Sequence, residues 1–372
     1  MKKIFFVIGF LGVVALCACT KDEDSACGRC NAKTMDVLVQ IGVPAPSSRA
    51  IGSPTQNHSA LTVQRGRVFF IADDGSVVSQ GVVAWDQIAQ GQLFKDVRTS
   101  ATEVYVVANY LAGSDTDLAL ARCITKAQIL NLSEKMVELT GIQYIMLSNA
   151  ADLTGYDVLK FDAKIKNGVT SKEAHVLLSP IHSRLEISDL MTNDPTIVKC
   201  TMKGIYVDNF YPSLYMACHL GGAGTKVFGG QEVNHLDNPI FVNKDRSIPE
   251  LINGKIQPSK DSPESVWHYQ TAPTLGGVAN VPRLVIVFST MTLNVNGVTS
   301  VVTNKFLTVT GFKDGQNKRI QNFEAGKVYQ IPSGALVFNY SDLENYPNPL
   351  RADVVVGVTV KPWTEVSYAP NL

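Results

Sequence analysis

The chain has 372 residues, 33 Lys+Arg against 33 Asp+Glu, 45% hydrophobic residues and only 18% charged ones. That length accommodates about two domains, each with a core of its own. The even charge balance, without any long charge run, excludes the basic stripe of a nucleic-acid binder and the one-sign excess of a disordered chain.

Met1-Lys2-Lys3 supplies a positive start, and Ile4 to Ala18 is an apolar and glycine stretch of 15 residues. A membrane span needs ~20, so the stretch fits the core of a signal peptide, residues 1–18. It ends in Leu16-Cys17-Ala18-Cys19, which resembles a bacterial lipobox with cleavage before Cys19 and lipid on its sulfur. Acyl chains add ~0.8 kcal/mol per buried CH₂, enough for several chains on one cysteine to hold a protein on a membrane. Asp22-Glu23-Asp24 just beyond resembles the surface-export signal of Bacteroidetes lipoproteins. Losing residues 1–18 removes Lys2 and Lys3 and leaves 31 basic residues against 33 acidic ones.

Cys27-Gly28-Arg29-Cys30 has the spacing of redox and zinc sites. No βαβ pattern surrounds it and no second pair completes a zinc tetrahedron, so a local disulfide or idle thiols are expected. Cys123, Cys200 and Cys218 sit in apolar patterns as core residues, with one disulfide among them left open.

Further along, the chain reads as mainly β. Thr34 to Val43 alternates Val37, Val39 and Ile41 with Asp36, Leu38 and Gln40, a strand signal. Pro44, Pro46, Ser47, Ser48, Arg49 and Gly52 follow as a loop. Val68–Ala72 with Asp74-Gly75 predicts a hairpin, and Glu103–Tyr110 a buried strand. Residues 115–139 predict a helix, with Thr125 as N-cap and Ile129, Leu132, Met136 and Leu139 at helical spacing. After residue 172 strands dominate: 176–181, 184–190, 196–210, 327–331, 334–338, 353–363, and 284–295 with 298–309 around Asn296-Gly297, a strong hairpin signal. Residues 219–281 read as long loops. Short strands separated by Gly/Asn/Pro turns imply mainly β sandwich domains rather than a parallel sheet, with few short helices.

No nucleophile elbow, zincin, Walker or Rossmann pattern is present. The six histidines show no ligand spacing, and Asp115 and Asp117 are expected at a helix start rather than in a calcium loop. No metal, cofactor or catalytic residue is expected, and the chain is read as a non-enzyme.

The two ends carry more. Val354, Val356, Val358 and Val360 share one face, followed by Lys361-Pro362-Trp363-Thr364. A strand this apolar on one face lies in a groove. Ser48-Arg49-Ala50 forms an exposed loop suited to a trypsin-like protease.

With the lipobox, Val104–Asn109, Tyr144–Asn149 and His175–Ile187, these segments resemble, in order along the whole chain, the fimbrillin family of Bacteroidales, the subunits of type V pili. The resemblance implies two β-sandwich domains, transthyretin-like or Greek-key, at 50–172 and 173–372, made as a lipidated precursor with a propeptide at 19–49. An arginine-specific surface protease would cut between Arg49 and Ala50. The plug strand carrying Val37, Val39 and Ile41 would then leave a groove in the amino-terminal domain. The donor strand of a neighbouring subunit (Val354, Val356, Val358, Val360 and Trp363) would fill it, building a fimbria that supports cell adhesion. The implied partners are copies of the chain and accessory subunits, the protease, the outer membrane through a palmitate-type lipid on Cys19, and host ligands. A tip, accessory or anchor subunit shares the pattern. A surface glycan-binding lipoprotein is the alternative of another class, with Trp267, His268 and Tyr269 as its one candidate aromatic platform, although core or turn packing is the expectation for these residues.

Overall fold

Two tight turns set hairpins by local chemistry. At Asp74-Gly75 the glycine takes φ +80, and the Asp74 carboxylate accepts the Ser76 N–H at 2.9 Å. At Asn296-Gly297 both residues are left-handed, φ 54 and 81, the geometry whose twist matches flanking strands and which Asn and Gly adopt with least strain. The structure, a computed structural model, describes residues 33–42, 65–84, 91–110, 112–135, 146–148, 151–152, 171–211, 213–217, 222–223, 254–257, 267–348 and 355–362. Contacts divide the chain into Met1–Lys33 and Thr34–Leu372, and the fold below belongs to the second unit.

Its first strands are β1 (Thr34–Gly42), β2 (Arg65–Ala72), β3 (Val77–Ala84), β4 (Gln92–Arg98), β5 (Ala101–Ala108), β6 (Ser133–Lys135), β7 (Met146–Ser148), β8 (Ala151–Asp152) and β9 (Ser171–Pro180). All but β6 form one sheet, in the order β3-β2-β5-β7-β9-β1-β4 with β8 also on β5. The sheet curls on itself. A Cβ on Gly81 of β3 would lie 2.9 Å from the Phe94 ring of β4, the strand at the far end of the order. Inside the curl, Phe70 and Phe94 pack edge to face at 5.2 Å. Pairing carries this sheet through Pro180, past the change of domain expected at 172–173.

The outer face of β2 and β5 presents Phe69, Ile71, Tyr105 and Val107 to Leu120 and Ile129 of two short helices. Those helices, Asp115–Arg122 and Lys126–Asn131, replace the single helix expected over 115–139. Thr125 caps as expected, its hydroxyl accepting the Gln128 N–H at 3.2 Å. That cap restarts the helix after a break at Cys123–Ile124. Beyond Leu132 the chain leaves the helix to pair Ser133 with Tyr215. Met136 and Leu139 lie outside the described residues.

The later strands are β10 (Ser183–Ile187), β11 (Leu190–Thr192), β12 (Ile197–Asp208), β13 (Ser213–Tyr215), β14 (Gly222–Ala223), β15 (Lys255–Ile256), β16 (Trp267–Thr271), β17 (Arg283–Val295), β18 (Val298–Val309), β19 (Gly311–Lys313), β20 (Lys327–Ile331), β21 (Val337–Phe338), β22 (Val355–Gly357) and β23 (Thr359–Pro362). Sheet β16-β10-β20-β23 faces sheet β12-β17-β18. Leu185, Ile187 and Ile331 of the first share one core with Ile205, Ile286 and Leu307 of the second. This is a sandwich: two inner faces meeting in a single apolar layer. β16 runs through the stretch expected to be loop, and Trp267 and Tyr269 are buried core residues. The Tyr269 hydroxyl donates to the Ile205 carbonyl at 2.9 Å. These two rings therefore form no exposed platform of the kind a glycan binder would use. Cys123 and Cys200 are buried free thiols, and burial pushes the Cys200 thiol up to about 12. Cys218 lies outside the described residues.

The start of the first helix is pinned to β2 by Asp117. Its carboxylate accepts from Arg65 at 3.0 Å and Arg67 at 2.9 Å, and from the Gly113 N–H at 2.9 Å. Burial opposes its charge, but the Gly113 N–H and the two guanidinium groups outweigh burial and hold its pKa below the usual carboxylate value. A depressed folded pKa means this stabilisation is complete above the unfolded pKa of about 3.9 and fades as pH falls through the folded value. Asp117→Asn should therefore lower stability at pH 7 by about 1–3 kcal/mol in denaturant titration, with the gap to the parent closing as the titration is repeated below about pH 4.

Candidate functional site

β1 pairs with strands that lie far from it along the chain. It lies between β9, to which it runs parallel from Asp36↔Ser171 to Gly42↔Leu177, and β4, to which it runs antiparallel from Thr34↔Arg98 to Val39↔Gln92. β4 is the last strand of the sheet at this end, so among the described residues β1 alone joins it to the ladder.

The alternation read in the sequence fixes which side of β1 is buried. Met35, Val37, Val39 and Ile41 enter the core inside the curl, with Val37 and Val39 fully buried at 0% exposure. Around them lie Phe70, Val97, Val106, Ala174 and Val176. At ~1.5–3 kcal/mol per buried side chain, the four contribute a gross ~6–12 kcal/mol. On the opposite face Leu38 and Gln40 pass close to Gly91, which adopts φ +90. A Cβ there would lie 3.1 Å from the Gln40 side chain and 3.3 Å from that of Leu38.

Val328 of β20 is the one residue beyond Leu178 in the cluster around β1. It is also the register partner of Lys361 in β23. On its other side Val328 pairs with Arg184 of β10. The Arg184 guanidinium meets the Glu186 carboxylate at 2.8 Å, both buried. His182, two residues before Arg184, is buried as well, and burial lowers its pKa to about 3, so the ring is neutral at physiological pH.

The carboxy-terminal strand is seated in its own subunit. β22 runs parallel to β19, pairing Val356 with Phe312. β23 then runs antiparallel to β20, pairing Val360 with Tyr329. The chain crosses between these sheets at Val358, whose N–H donates to the Lys313 carbonyl at 2.7 Å. Val356 and Val358 are 4% exposed and sit in the sandwich core, whereas Val360 is 39% exposed. Thus the expected shared apolar face holds for Val356 and Val358 and opens to solvent at Val360. β22 and β23 each hold one neighbouring strand. Cys19, Arg49, Ala50, Val354 and Trp363 lie outside the described residues.

Two parts of the site escaped the sequence reading. β4 is the outer wall of the β1 slot, but its Lys95, Asp96 and Arg98 mask Leu93, Phe94 and Val97 as a strand signal. Val328 sits in a strand expected from the sequence, and nothing in that pattern indicates that it reaches the core of another sheet. Among the described residues no group of three or more His, Cys, Asp or Glu is placed to hold a metal ion.

Solved structures share this fold at low sequence identity. A candidate cell adhesion protein from Parabacteroides distasonis ATCC 8503 superposes with a TM-score of 0.54 at 12% identity, over 89% of this chain and 100% of its own. Another from Bacteroides eggerthii DSM 20697 gives 0.51 at 14% identity, over 90% of this chain and 98% of its own. A fimbrilin from Porphyromonas gingivalis W83 aligns over 91% of this chain and 100% of its own, with a TM-score of 0.48 and 12% identity. The first two scores establish a common fold. No protein-family model and no curated protein matches the sequence.

Val39→Ala should cost about 2 kcal/mol by removing buried methyl groups from the slot. Val360→Ala, at an exposed position, should stay within about 0.5 kcal/mol. Denaturant midpoints of the full chain measure both.

Proposed function

We propose that the chain is the precursor of a cell-surface fimbrial subunit that polymerises by exchanging β1 for the carboxy-terminal strand of a neighbour. The observation that carries this reading is a matched pattern. Met35-x-Val37-x-Val39-x-Ile41 is the set of apolar side chains filling the slot, and Val354-x-Val356-x-Val358-x-Val360 repeats it. In that register Val356 takes the place of Val37, and Val360 that of Ile41. The fold shared with candidate cell adhesion proteins supports the same reading.

The physics of the switch lies in the cut between Arg49 and Ala50. While the chain is whole, β1 binds its slot intramolecularly, at an effective concentration in the millimolar range. After the cut the plug is a separate peptide and must hold its place at bulk concentration. A vacated slot leaves unpaired backbone on β9 and β4 above an apolar floor, a template for strand addition. Head-to-tail filling does not close on itself and gives a filament. Cleavage also parts the subunit from Cys19, whose lipid holds the precursor at the outer membrane, and from Cys27 and Cys30. On this reading residues 19–49 are a propeptide, and the amino- and carboxy-terminal sandwiches are the acceptor and donor domains. The partners are further copies of the chain, accessory subunits, an arginine-specific surface protease and host ligands.

The test is treatment of purified precursor with an arginine-specific protease. Cleavage at Arg49–Ala50 should be followed by polymers of high mass, and Arg49→Ala should give neither. Val360→Asp is the sharper variant. Its position is exposed in the monomer, so stability should hold, yet in the matched register it would bury a charge at the Ile41 site. It should be cut normally and fail to polymerise. Cleavage without polymers in the parent, or undiminished polymers from Val360→Asp, would refute strand exchange in this register.

A further inference from the structure

β18 is the outermost strand of sheet β12-β17-β18, and its two halves differ. The second half is covered. Phe306 exchanges backbone hydrogen bonds with Glu344, each 2.9 Å. Thr308 accepts the Asn348 N–H at 3.0 Å. Lys305 is drawn off the edge, its ammonium 2.6 Å from the Asn345 side-chain oxygen and over the Tyr340 ring. The first half, Val298 to Asn304, has no such cover among the described residues. Val298 is 69% exposed and Val301 64%.

A bare strand edge is a template for pairing with another chain, and proteins guard such edges with Lys, Pro, bulges or a cover. Three other end strands carry such residues in their sequence: Lys199 and Lys203 in β12, Lys361 and Pro362 in β23, Lys95, Asp96 and Arg98 in β4. The stretch from Leu293 to Asn304 contains no charge and no proline. Asn304, at φ 52, ends the regular edge.

We propose that this edge is an interaction surface whose occupant is a second copy of the chain, with the two β18 strands paired antiparallel about a two-fold axis at Val301. Three features select that partner. Like meets like without electrostatic penalty, because neither surface is charged. The order of side chains is self-complementary: about Val301, Thr299 faces Thr303, a favoured cross-strand pair. The two Val301 side chains meet on the axis and cover each other, as an isologous contact requires. Seven residues at ~3.4 Å each make a ladder about 24 Å long, a small interface of the weak, reversible class. Repeated along a polymer, the same contact would gain avidity and join fibres side by side. The pairing itself does not involve the β1 slot and stands apart from strand exchange.

The experiment is hydrogen exchange and sedimentation of the intact full chain in nonionic detergent, from dilute to concentrated. Protection of residues 298–304 should rise with concentration, in step with a monomer–dimer equilibrium. Val301→Lys should weaken association about tenfold or more, since it places like charges face to face on the axis. Val82→Lys, the same change at another exposed strand position, should leave association unchanged. An equimolar mixture of Val301→Lys and Val301→Glu should restore it, with each variant folded as judged by its melting curve. Three results would each overturn the proposal: no association at any concentration, association unaffected by Val301→Lys, or protection that rises on a different edge.

Discussion

The amino-terminal sheet depends on one strand filling one gap. Among the described residues, β1 gives β9 its second hydrogen-bonded neighbour and β4 its only one, and its four apolar side chains complete the floor of the curl. Remove β1 and the losses arrive together: backbone groups on two strands go unpaired, and apolar surface meets water. The slot is therefore filled or strongly unfavourable, with little between. That all-or-none character leaves little room for a gradual opening.

The two halves of the molecule are held in different ways. Around β10, a row of buried polar groups, His182, Arg184 and Glu186, lies along one face of the strand. Any movement that parted Arg184 from Glu186 would strand a buried charge, an outcome that costs several kcal/mol. β22 and β23 are fixed by apolar contacts and by one neighbouring strand each. Such contacts are non-directional and can be remade against any surface of the right shape. Polar anchoring thus fixes the surroundings of β10, and apolar seating holds β22 and β23. β20 touches both arrangements, with Val328 in the floor of the curl and Tyr329 in the sandwich core.

How much of this was legible follows from which interactions are local. Alternation revealed β1, β5 and the β17–β18 pair, and the Asn296-Gly297 turn announced its own geometry. Thr125 signalled its cap correctly but also hid a break, because a residue that starts one helix ends the helix before it. The run of Leu132, Met136 and Leu139 looked helical until pairing between Ser133 and Tyr215 took the chain elsewhere. β4 stayed hidden because three charged residues on its solvent side broke the apolar pattern. β16 lay in a stretch rich in Pro and Gly that read as loop, although core packing was the expectation for its aromatic residues. Within the candidate site, Val37, Val39 and Ile41 could be named from spacing alone. Their neighbours on β9 could not, since nothing local tells a strand that its partner lies far along the chain.

That distance has a consequence for how the protein is made. Asp36 finds its partner at Ser171, and parallel pairing across so long a loop requires most of the intervening chain to be in place first. Loop-closure entropy must be overcome before any contact in the slot offsets it. β1 is thus among the last of these strands to settle. Until it does, the nascent sheet holds an apolar cleft open to any extended segment within reach, so a folding intermediate of this chain exposes a surface that the finished fold conceals.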